Sequence, residues 1–410
     1  MALTSSEKGV WSLDEVYNKI NAGGIWTYNE FNTGWAWGEQ DYGELGANSG
    51  GTRYASPHQI GTDITWSEFG MRNPYGDGKS QALWIKSDGT MWSAGRNKYG
   101  ILGLNSPTNQ MRSSPTQIGT DTDWATATGA TLSKIAIKTD GTMWTWGRNY
   151  YGSFGRTNAD PNYFYRSSPI QLPGTWSNVQ ASCVGNLSTV LATKPDGTLW
   201  GWGRQADGQL GQNQPSGANY SSPVQIPAPG PPSTTWQTER GKFSAGGKCC
   251  YMINTDDELW ITGEGSWGRS GTNNETQYSS PVQVPGTWSY IEGGSGNGYG
   301  IRTDGTLWSW GQNQEGLLGL NEPGSPGNVY RSSPTQIGTA TDWTKIVAGA
   351  WATYAFRGND LYSWGPNSNG ILGLGPGEPG RSSPTQIPGV WTTLAAAGEA
   401  VWANKIAPPS

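Results

Sequence analysis

One sequence unit recurs along the whole chain and constrains its fold more than any other feature. The clearest copy is DGTLWSWGQNQEGLLG, at residues 304–319. Asp304-Gly305 is a two-residue turn signal that closes a tight hairpin, and the alternation from Thr306 to Trp310 is typical of a half-buried strand. The glycine that ends this strand recurs seven times, at Gly38, Gly95, Gly147, Gly203, Gly263, Gly311 and Gly365.

Two further signals follow each of these glycines in a fixed order. The first is a Ser-Pro step, which suits an edge strand because proline has no N–H for a second neighbour; it occurs at Pro57, Pro115, Pro169, Pro223, Pro281, Pro334 and Pro384. The second is a tryptophan that opens the next unit, at Trp66, Trp124, Trp176, Trp236, Trp288, Trp343 and Trp391. Successive copies are 48 to 60 residues apart, close to the roughly 40–50 residues of propeller-blade repeats. Each copy therefore predicts one four-stranded sheet.

The pattern DGTLWSWGxNxxGLLG, the Ser-Pro step and W-x-x-[IV]-x-x-G resembles the repeat of the regulator of chromosome condensation family. The resemblance covers residues 25–406 and implies a seven-bladed all-β propeller of four-stranded blades. Propellers of this family serve as exchange factors, enzyme inhibitors or interaction platforms, so the fold alone does not give the function.

The chain ends with part of an eighth unit, WTTLAAAGEAVWANK at residues 391–405, and residues 407–410 form a tail. A propeller is commonly closed by a blade that both chain ends share, since this hides the last sheet edges. Either residues 25–27 or residues 400–402 supply the second strand of that blade, and the sequence leaves the choice open.

Residues 1–24 precede the repeats and predict a short helix. Ser12 and Glu15 form a capping box, and Gly23-Gly24 ends the pattern. Leu13, Val16, Tyr17 and Ile20 form an apolar stripe, and Val10 or Trp11 supplies an apolar contact before the cap. Because so short a helix is marginal alone, its stripe covers a propeller face, or Trp11, Leu13, Val16, Tyr17 and Ile20 dock on another protein. GVWSLDEVYNKINAGGIW is similar to a short N-terminal motif of virion and tail-associated proteins of marine bacteriophages.

Composition argues against several classes of function. The net charge of −5 offers no basic surface for nucleic acid. No apolar run reaches membrane-spanning length, and the first residues lack a signal-peptide core, so we expect no membrane insertion and, outside a virion, a cytoplasmic protein. Cys183, Cys249 and Cys250 have no metal-ligand spacing and are interpreted as free thiols.

Catalysis is not expected. His58 is the one histidine and occupies a strand position held by threonine in other copies, so neither a Ser-His-Asp triad nor a histidine pair for a metal can form. The aspartates of the Asp-Gly signals are interpreted as turn residues and not as catalytic acids or calcium ligands. No phosphate-binding loop is present, and we expect no cofactor and no metal.

Two sets of residues are candidates for binding. The residue before Ser-Ser-Pro, or its counterpart in the first copy, is always planar, which suits stacking on a blade tryptophan or a ring that holds sugars or carboxylates; the set is Tyr54, Arg112, Arg166, Tyr220, Tyr278, Arg331 and Arg381. The second set, Tyr163, Phe164 and Tyr165, lies in a long loop and suits sugar stacking, or else packs on neighbouring loops.

These observations favour a non-enzymatic structural or host-recognition protein of a bacteriophage tail or fibre. Its partners would be other virion proteins or a host surface receptor or glycan, and it would be located in the virion. The alternative is a soluble module that binds carbohydrate or blocks another protein. A small-GTPase exchange factor is a third reading, but no residues match the acidic, histidine-bearing face and wedge that this role needs.

Overall fold

Antiparallel four-stranded sheets follow one another along the chain in the computed structural model, which describes residues 32–48, 51, 53–70, 81–106, 108–129, 132–156, 164–182, 188–214, 219–231, 233–322 and 329–406. The protein is an all-β propeller. Residues 1–24, with the expected helix and the candidate docking residues Trp11, Leu13, Val16, Tyr17 and Ile20, lie outside the described residues. The described part contains no helix long and apolar enough to cross a membrane.

The strands of the described residues are, in chain order, β1 (Asn32–Gly38), β2 (Tyr54–Gln59), β3 (Trp66–Phe69), β4 (Gln81–Lys86), β5 (Met91–Arg96), β6 (Met111–Gln117), β7 (Trp124–Gly129), β8 (Ser133–Lys138), β9 (Thr142–Arg148), β10 (Tyr165–Thr175), β11 (Asn178–Ala181), β12 (Thr189–Thr193), β13 (Leu199–Gly203), β14 (Tyr220–Ile226), β15 (Phe243–Ala245), β16 (Cys249–Ile253), β17 (Glu258–Gly263), β18 (Tyr278–Gly293), β19 (Asn297–Arg302), β20 (Leu307–Gln312), β21 (Tyr330–Gln336), β22 (Trp343–Ala348), β23 (Thr353–Arg357), β24 (Asp360–Gly365), β25 (Arg381–Ile387), β26 (Trp391–Ala397) and β27 (Ala400–Ile406).

The prediction of seven separate four-stranded blades plus an N-terminal helix is wrong. Five sheets have four strands, in the orders β2-β1-β27-β26, β3-β4-β5-β6, β10-β9-β8-β7, β11-β12-β13-β14 and β22-β23-β24-β25, and β15 to β21 form one seven-stranded sheet. The sheets merge because β18 continues without a break: Thr287 still pairs with Glu258 of β17, and Trp288 already pairs with Arg302 of β19. The described residues form three short 3-10 turns and no α-helix.

The first and last strands of the described residues meet in one sheet. All seven residues of β1 pair with β27, from Asn32 opposite Ile406 to Gly38 opposite Ala400, and β26 pairs with the other edge of β27. Of the two segments that the sequence left open, residues 400–402 therefore lie in the strand that pairs with β1, while residues 25–27 lie outside the described residues.

Buried tryptophans join each sheet to the one before it. Trp146 of β9 is fully buried, and its indole N–H donates to the carbonyl of Ile101 in the preceding repeat at 2.9 Å. The same bond recurs from Trp37, Trp202, Trp310 and Trp364. A large apolar ring and a satisfied polar edge thus fill each junction with little loss of hydrogen bonding.

Two repeats lack this tryptophan, and the structure replaces it differently in each. In β17 the residue is Thr262, whose hydroxyl donates to the carbonyl of Gln209 at 2.5 Å. In β5 it is Ala94, and the space is filled by Trp84 of β4, whose ring lies 5.6 Å from that of Trp66 and faces Gly46 of the preceding repeat. Trp402 donates to the carbonyl of Glu44 at 3.2 Å.

The antiparallel order gives the propeller two distinct faces. The loop face carries the connections between the first and second strands and between the third and fourth strands of each repeat. The turn face carries the hairpin turns, such as residues 88–89, and the links from each fourth strand to the next first strand, such as residues 60–65. The first strands surround the central channel.

Candidate binding surface

The seven planar residues predicted from the sequence occupy one equivalent position on the rim of the loop face. Each lies opposite the glycine that ends the tryptophan strand, as in Arg112 opposite Gly95 and Arg381 opposite Gly365. The same register holds for Tyr54, Arg166, Tyr220, Tyr278 and Arg331. They are spaced one per repeat around the rim, so they form a periodic ring and do not converge on a single pocket.

The four arginines of this ring have different partners. One guanidinium nitrogen of Arg331 donates to both carboxylate oxygens of Glu322, at 2.6 and 2.7 Å, and Arg381 pairs with Glu378. Arg166 lies over the ring of Phe164, with 3.6 Å between the guanidinium carbon and the ring centre. Arg112 donates to two neutral groups, the carbonyl of Met111 and the side-chain oxygen of Gln110. The fold therefore fixes the position of each arginine, and the residues of the neighbouring loop determine whether its charge is paired with a carboxylate.

The three tyrosines make local contacts. Tyr54 stacks on His58 of the same strand, with ring centres 4.5 Å apart. The hydroxyl of Tyr278 is hydrogen bonded to the side chain of Asn274, and Tyr220 packs on the core cluster that includes Leu191 and Trp236. His58 thus has a structural neighbour within its own strand.

Exposed apolar side chains are concentrated on the same rim. Tyr165 is 50% exposed and Met111 is 56% exposed; each directly precedes an arginine of the ring, as does the exposed Tyr330. Trp267, in the connection after β17, is 40% exposed. Of the second predicted set, Phe164 lies under Arg166, Tyr165 projects outward, and Tyr163 lies outside the described residues. Met111, Trp267 and Tyr330 were not identified from the sequence, since a single exposed apolar residue leaves no pattern.

A polar groove adjoins Arg381 on this rim. It has a volume of about 440 Å³ and is lined by Glu315, Asn367, Glu378, Arg381 and Ser382, among others. Because Arg381 is already paired with Glu378, this groove presents a neutralised cation and several hydroxyl and amide groups.

The central channel is nearly filled by charged and aromatic side chains. Arg240 donates to Glu68 across the channel at 2.8 Å, and the Glu68 carboxylate raises the pKa of Arg240. Phe69, Tyr290 and Lys345 line the same space, which has a volume of about 30 Å³. Such a volume accommodates no more than a water or two, so these described side chains enclose no ligand-sized space among themselves.

The turn face is built from repeated cation–tryptophan contacts that the sequence analysis missed. Lys86 lies between Trp66 and Trp92, at 4.8 and 4.1 Å from the ring centres, and pairs with Asp63. Equivalent cations lie between two aromatic rings in five other repeats: Lys138, Lys194, Arg302, Arg357 and Lys405. In most copies the available signal was a Lys or Arg two residues before the Asp-Gly turn.

The turn role of the Asp-Gly aspartates is confirmed. Asp88 accepts hydrogen bonds from the hydroxyl and the amide of Thr90, and these bonds hold the pKa of Asp88 below its usual value. The Thr90 hydroxyl in turn accepts the indole N–H of Trp92. Since the same chain of bonds recurs at Asp140, Asp196 and Asp304, these carboxylates are committed to local structure.

The adjacent cysteines are free thiols, as predicted. Cys249 and Cys250 are buried and unbridged, and burial raises the pKa of Cys249 to about 12. The Cys249 thiol donates to the carbonyl of Glu264 at 2.7 Å. Cys183 lies outside the described residues. Within the part of the chain that is described, no three His, Cys, Asp or Glu side chains are grouped closely enough to hold a metal ion.

Comparison with known proteins supports the repeat family. Residues 196–238 and 304–356 match the regulator of chromosome condensation (RCC1) repeat. The mitochondrial RCC1 domain-containing protein RUG3 of Arabidopsis thaliana is 24% identical over 311 residues, which cover 73% of this chain and 66% of RUG3. The human E3 ubiquitin-protein ligase HERC2 is 24% identical over 250 residues, 59% of this chain and 5% of HERC2. The chain thus matches less than two thirds of either relative.

The fold is similar to that of a solved RCC1 structure. Yeast RCC1 (Prp20), in its complex with Kap60, superposes with a TM-score of 0.73 and 17% identity over 92% of this chain and 90% of that chain. At this level of identity the likeness concerns the fold, and it agrees with the all-β propeller of four-stranded blades described above.

Proposed function

We propose that this chain is a non-enzymatic binding module that holds a partner protein on the loop face of its propeller. The observation that carries this proposal is the position of the exposed large apolar side chains. Four of the six in the described residues, Met111, Tyr165, Trp267 and Tyr330, lie on the rim of the loop face. Exposed aromatic and methionine side chains mark protein interfaces more often than other surfaces.

The turn face has the opposite character, which supports the same choice. Its lysines and arginines lie between tryptophan rings, and its aspartates are bonded to their own threonines. Side chains already engaged in this way would lose contacts by turning to a partner. The repeats found in larger proteins such as HERC2, and the yeast structure in which RCC1 is bound to Kap60, agree with an interaction role.

The test compares two pairs of loop-face variants with a matched pair from the turn face. Met111→Ser/Tyr165→Ser and Trp267→Ser/Tyr330→Ser each remove two exposed apolar side chains from the loop face, and Ile64→Ser/Val390→Ser removes two from the turn face. Immobilised wild-type protein and the Ile64/Val390 variant should retain the same protein from an extract of the source. At least one loop-face variant should lose it; equal retention by all three variants would overturn the proposal.

We further propose that this module works in a bacteriophage particle, as a structural or host-recognition component. The support is the sequence GVWSLDEVYNKINAGGIW within residues 9–26, with residues 1–24 as the segment that docks on other virion proteins and the loop face as the surface that meets a host receptor. Mass spectrometry of purified particles and of the particle-free supernatant tests this step. Stoichiometric peptides in the particles are the expected result, and peptides confined to the supernatant would contradict it.

The second candidate is a soluble module that binds a glycan. Two separate features of the loop face favour this alternative. The groove of about 440 Å³ beside Arg381 offers hydroxyl and amide groups for hydrogen bonds to sugar hydroxyls, and the exposed Tyr165 of another repeat offers a ring on which a sugar can stack. A glycan array with the wild-type protein and the Met111→Ser/Tyr165→Ser variant distinguishes the glycan-binding module from the protein-binding module. Specific glycan binding that the variant loses would favour the glycan module over the protein-binding one.

A further inference from the structure

Positive charge is concentrated in one part of the loop face. The connections at residues 96–112 and 148–166 together carry six basic side chains and one acidic residue, Asp160, which lies outside the described residues. The basic residues are Arg96, Lys98, Arg112, Arg148, Arg156 and Arg166. The whole chain has a net charge of −5, so this basic sector is an exception within an acidic protein.

The other third-to-fourth-strand connections show no such excess. Residues 39–53 carry three acids and one base, residues 264–277 two acids and one base, and residues 312–331 two acids and one base. In the two remaining connections Arg204 pairs with Asp207, and Arg381 pairs with Glu378. Charge in the third-to-fourth-strand connections is therefore balanced or negative outside the basic sector.

The described parts of the two connections, which exclude residues 107 and 157–163, lie next to each other. The amide of Asn105 donates to the carbonyl of Ser167 at 2.7 Å, which joins the second connection to the fourth strand of the next repeat. The guanidinium of Arg148 lies 4.6 Å from the ring centre of Tyr99 and 5.2 Å from that of Tyr150. A ligand a few residues long would contact side chains from both repeats.

Stacking orients the guanidinium groups of this sector. Arg96 lies 5.0 Å above the ring of Tyr42, and Arg166 lies 3.6 Å above Phe164. An arginine stacked on a ring through its face keeps its N–H edge available for a bidentate carboxylate. Neither Arg96 nor Arg112 has a carboxylate partner among the described residues, whereas Arg331 holds Glu322 and Arg381 holds Glu378.

We infer that the basic sector docks an acidic segment of a partner protein. This docking rests on the proposed function of the loop face and defines the chemistry of the partner: carboxylates for Arg96 and Arg112, and apolar side chains for the exposed Met111 and Tyr165. Charge complementarity of this kind selects a partner and speeds association. A peptide fits better than a nucleic acid, because a long polyanion would also meet the net negative charge of the rest of the chain.

The test uses a fluorescein-labelled peptide that alternates pairs of glutamates with leucine and tyrosine, and a control peptide with glutamine in place of glutamate. Fluorescence anisotropy should show that the acidic peptide binds the wild-type protein. Its affinity should fall as the NaCl concentration rises from about 50 to about 200 mM. Arg96→Gln/Arg112→Gln should weaken binding by about tenfold. The matched variant Arg331→Gln/Arg381→Gln removes the same charge from the same face and should change affinity less than twofold, an estimate for distant rim charges.

Three results would overturn the inference. One is that the wild-type protein binds the acidic and the glutamine peptides equally, and another is that the two arginine variants weaken binding to the same degree. The third is that single-stranded DNA or heparin, tested in parallel, binds the basic sector while the peptide does not. If any of these occurs while the Trp267/Tyr330 variant still loses its protein partner, the proposed function stands and only the basic-sector inference fails.

Discussion

The indole N–H of Trp402, in the last strand, donates to the backbone carbonyl of Glu44, in the first loop, at 3.2 Å. Tyr299 and Tyr354, at the same position of their strands, donate to the carbonyls of Leu317 and Ile371, and each of these carbonyls also accepts a tryptophan of the next repeat. Position 94 holds alanine, so the carbonyl of Glu44 accepts Trp402 and has no indole donor at position 94. Trp402 is fully buried in a cluster with Ala36, Ala94 and Ala395. One residue of the closing strand therefore supplies an indole hydrogen bond at the junction where position 94 holds alanine.

Replacing Trp402 with alanine should lower the free energy of unfolding by about 3–5 kcal/mol, the usual cost of emptying a buried aromatic site. Urea denaturation followed by circular dichroism measures this loss. Trp267→Ala serves as the control, because Trp267 is 40% exposed and its removal should cost about 0.5 kcal/mol or less. Equal shifts for the two variants would contradict the closing role of Trp402.

The side chain of Glu44 predicts a dependence of stability on pH. Burial raises the pKa of Glu44 to about 7, although the amides of Asp41 and Tyr42 donate to its carboxylate. The folded state therefore holds a proton that the unfolded chain releases above about 4.5, and the resulting stability is lost as pH rises towards 7. Gln209, at the equivalent position of the fourth repeat, accepts the amide of Asp207 without a charge.

Glu44→Gln should remove this dependence and make the variant more stable than the wild-type protein at pH 8, by up to about 3 kcal/mol. At pH 4 the two proteins should have similar stability. Urea midpoints at both pH values test the prediction, and a parallel pH profile for the two proteins would refute it.

The stability that Glu264 contributes should change with pH in the opposite direction to that of Glu44. Burial by itself would raise its pKa, but the hydrogen bond from Lys248 and the charge of Arg269 bring the pKa below the usual value. This stability is present above the unfolded pKa and is lost as pH falls. Glu264→Gln should therefore be destabilising at pH 8, with a smaller penalty at pH 4. A Glu264 variant whose penalty grew on acidification would show that the charge network has been misread.

The cation–tryptophan contacts of the turn face should contribute to stability and leave binding unchanged. Lys138 lies between Trp124 and Trp144 and pairs with Asp121 and Asp123. Lys138→Gln should cost about 1–2 kcal/mol, since a partly desolvated cation–π contact and its ion pairs are removed together. Arg112→Gln, on the exposed rim, should leave the urea midpoint unchanged. A midpoint shift in the arginine variant alone would reverse these assignments.

Two glycines with positive φ separate backbone strain from close packing. A Cβ on Gly100 would lie 2.6 Å from the Cα of Ser167 in the next repeat, whereas a Cβ on Gly338 would have no neighbour within 4 Å. Gly338→Ala should cost about 1–2 kcal/mol for the left-handed backbone. Gly100→Ala should cost about 1–3 kcal/mol more, because the neighbouring strand must move. Thermal unfolding of both variants measures the difference, which would vanish if the repeats were not interlocked here.

The sequence predicted the four-stranded repeat well because each signal acts locally. Asp304-Gly305 closes its own hairpin, and Trp310 is buried by alternation within its own strand. The merging of two sheets into one could not be predicted. SSPIQLPGTWSNVQA breaks between β10 and β11, while the similar SSPVQVPGTWSYIEG continues as β18. The difference depends on whether pairing resumes directly at the tryptophan, as it does at Trp288.

For the candidate surface, the sequence predicted the positions and not the partners. Periodicity placed Arg112, Arg331 and Arg381 at one equivalent site on the rim, and β-sheet register fixes them there. Their different settings depend on loop residues such as Glu322 and Glu378, which lie outside the three repeated signals. The sequence shows a Lys or Arg at a fixed spacing before most of the hairpin turns. Only the structure shows that each of these cations lies between two aromatic rings.

Hydrogen exchange of the chain with and without the protein that it retains tests most directly whether partners bind to the loop face. The account predicts slower exchange in the connections of the loop face, such as residues 97–110 and 264–277, and unchanged exchange at the hairpin turns near Asp88 and Asp304. Protection at those turns, with the loop face unchanged, would contradict it.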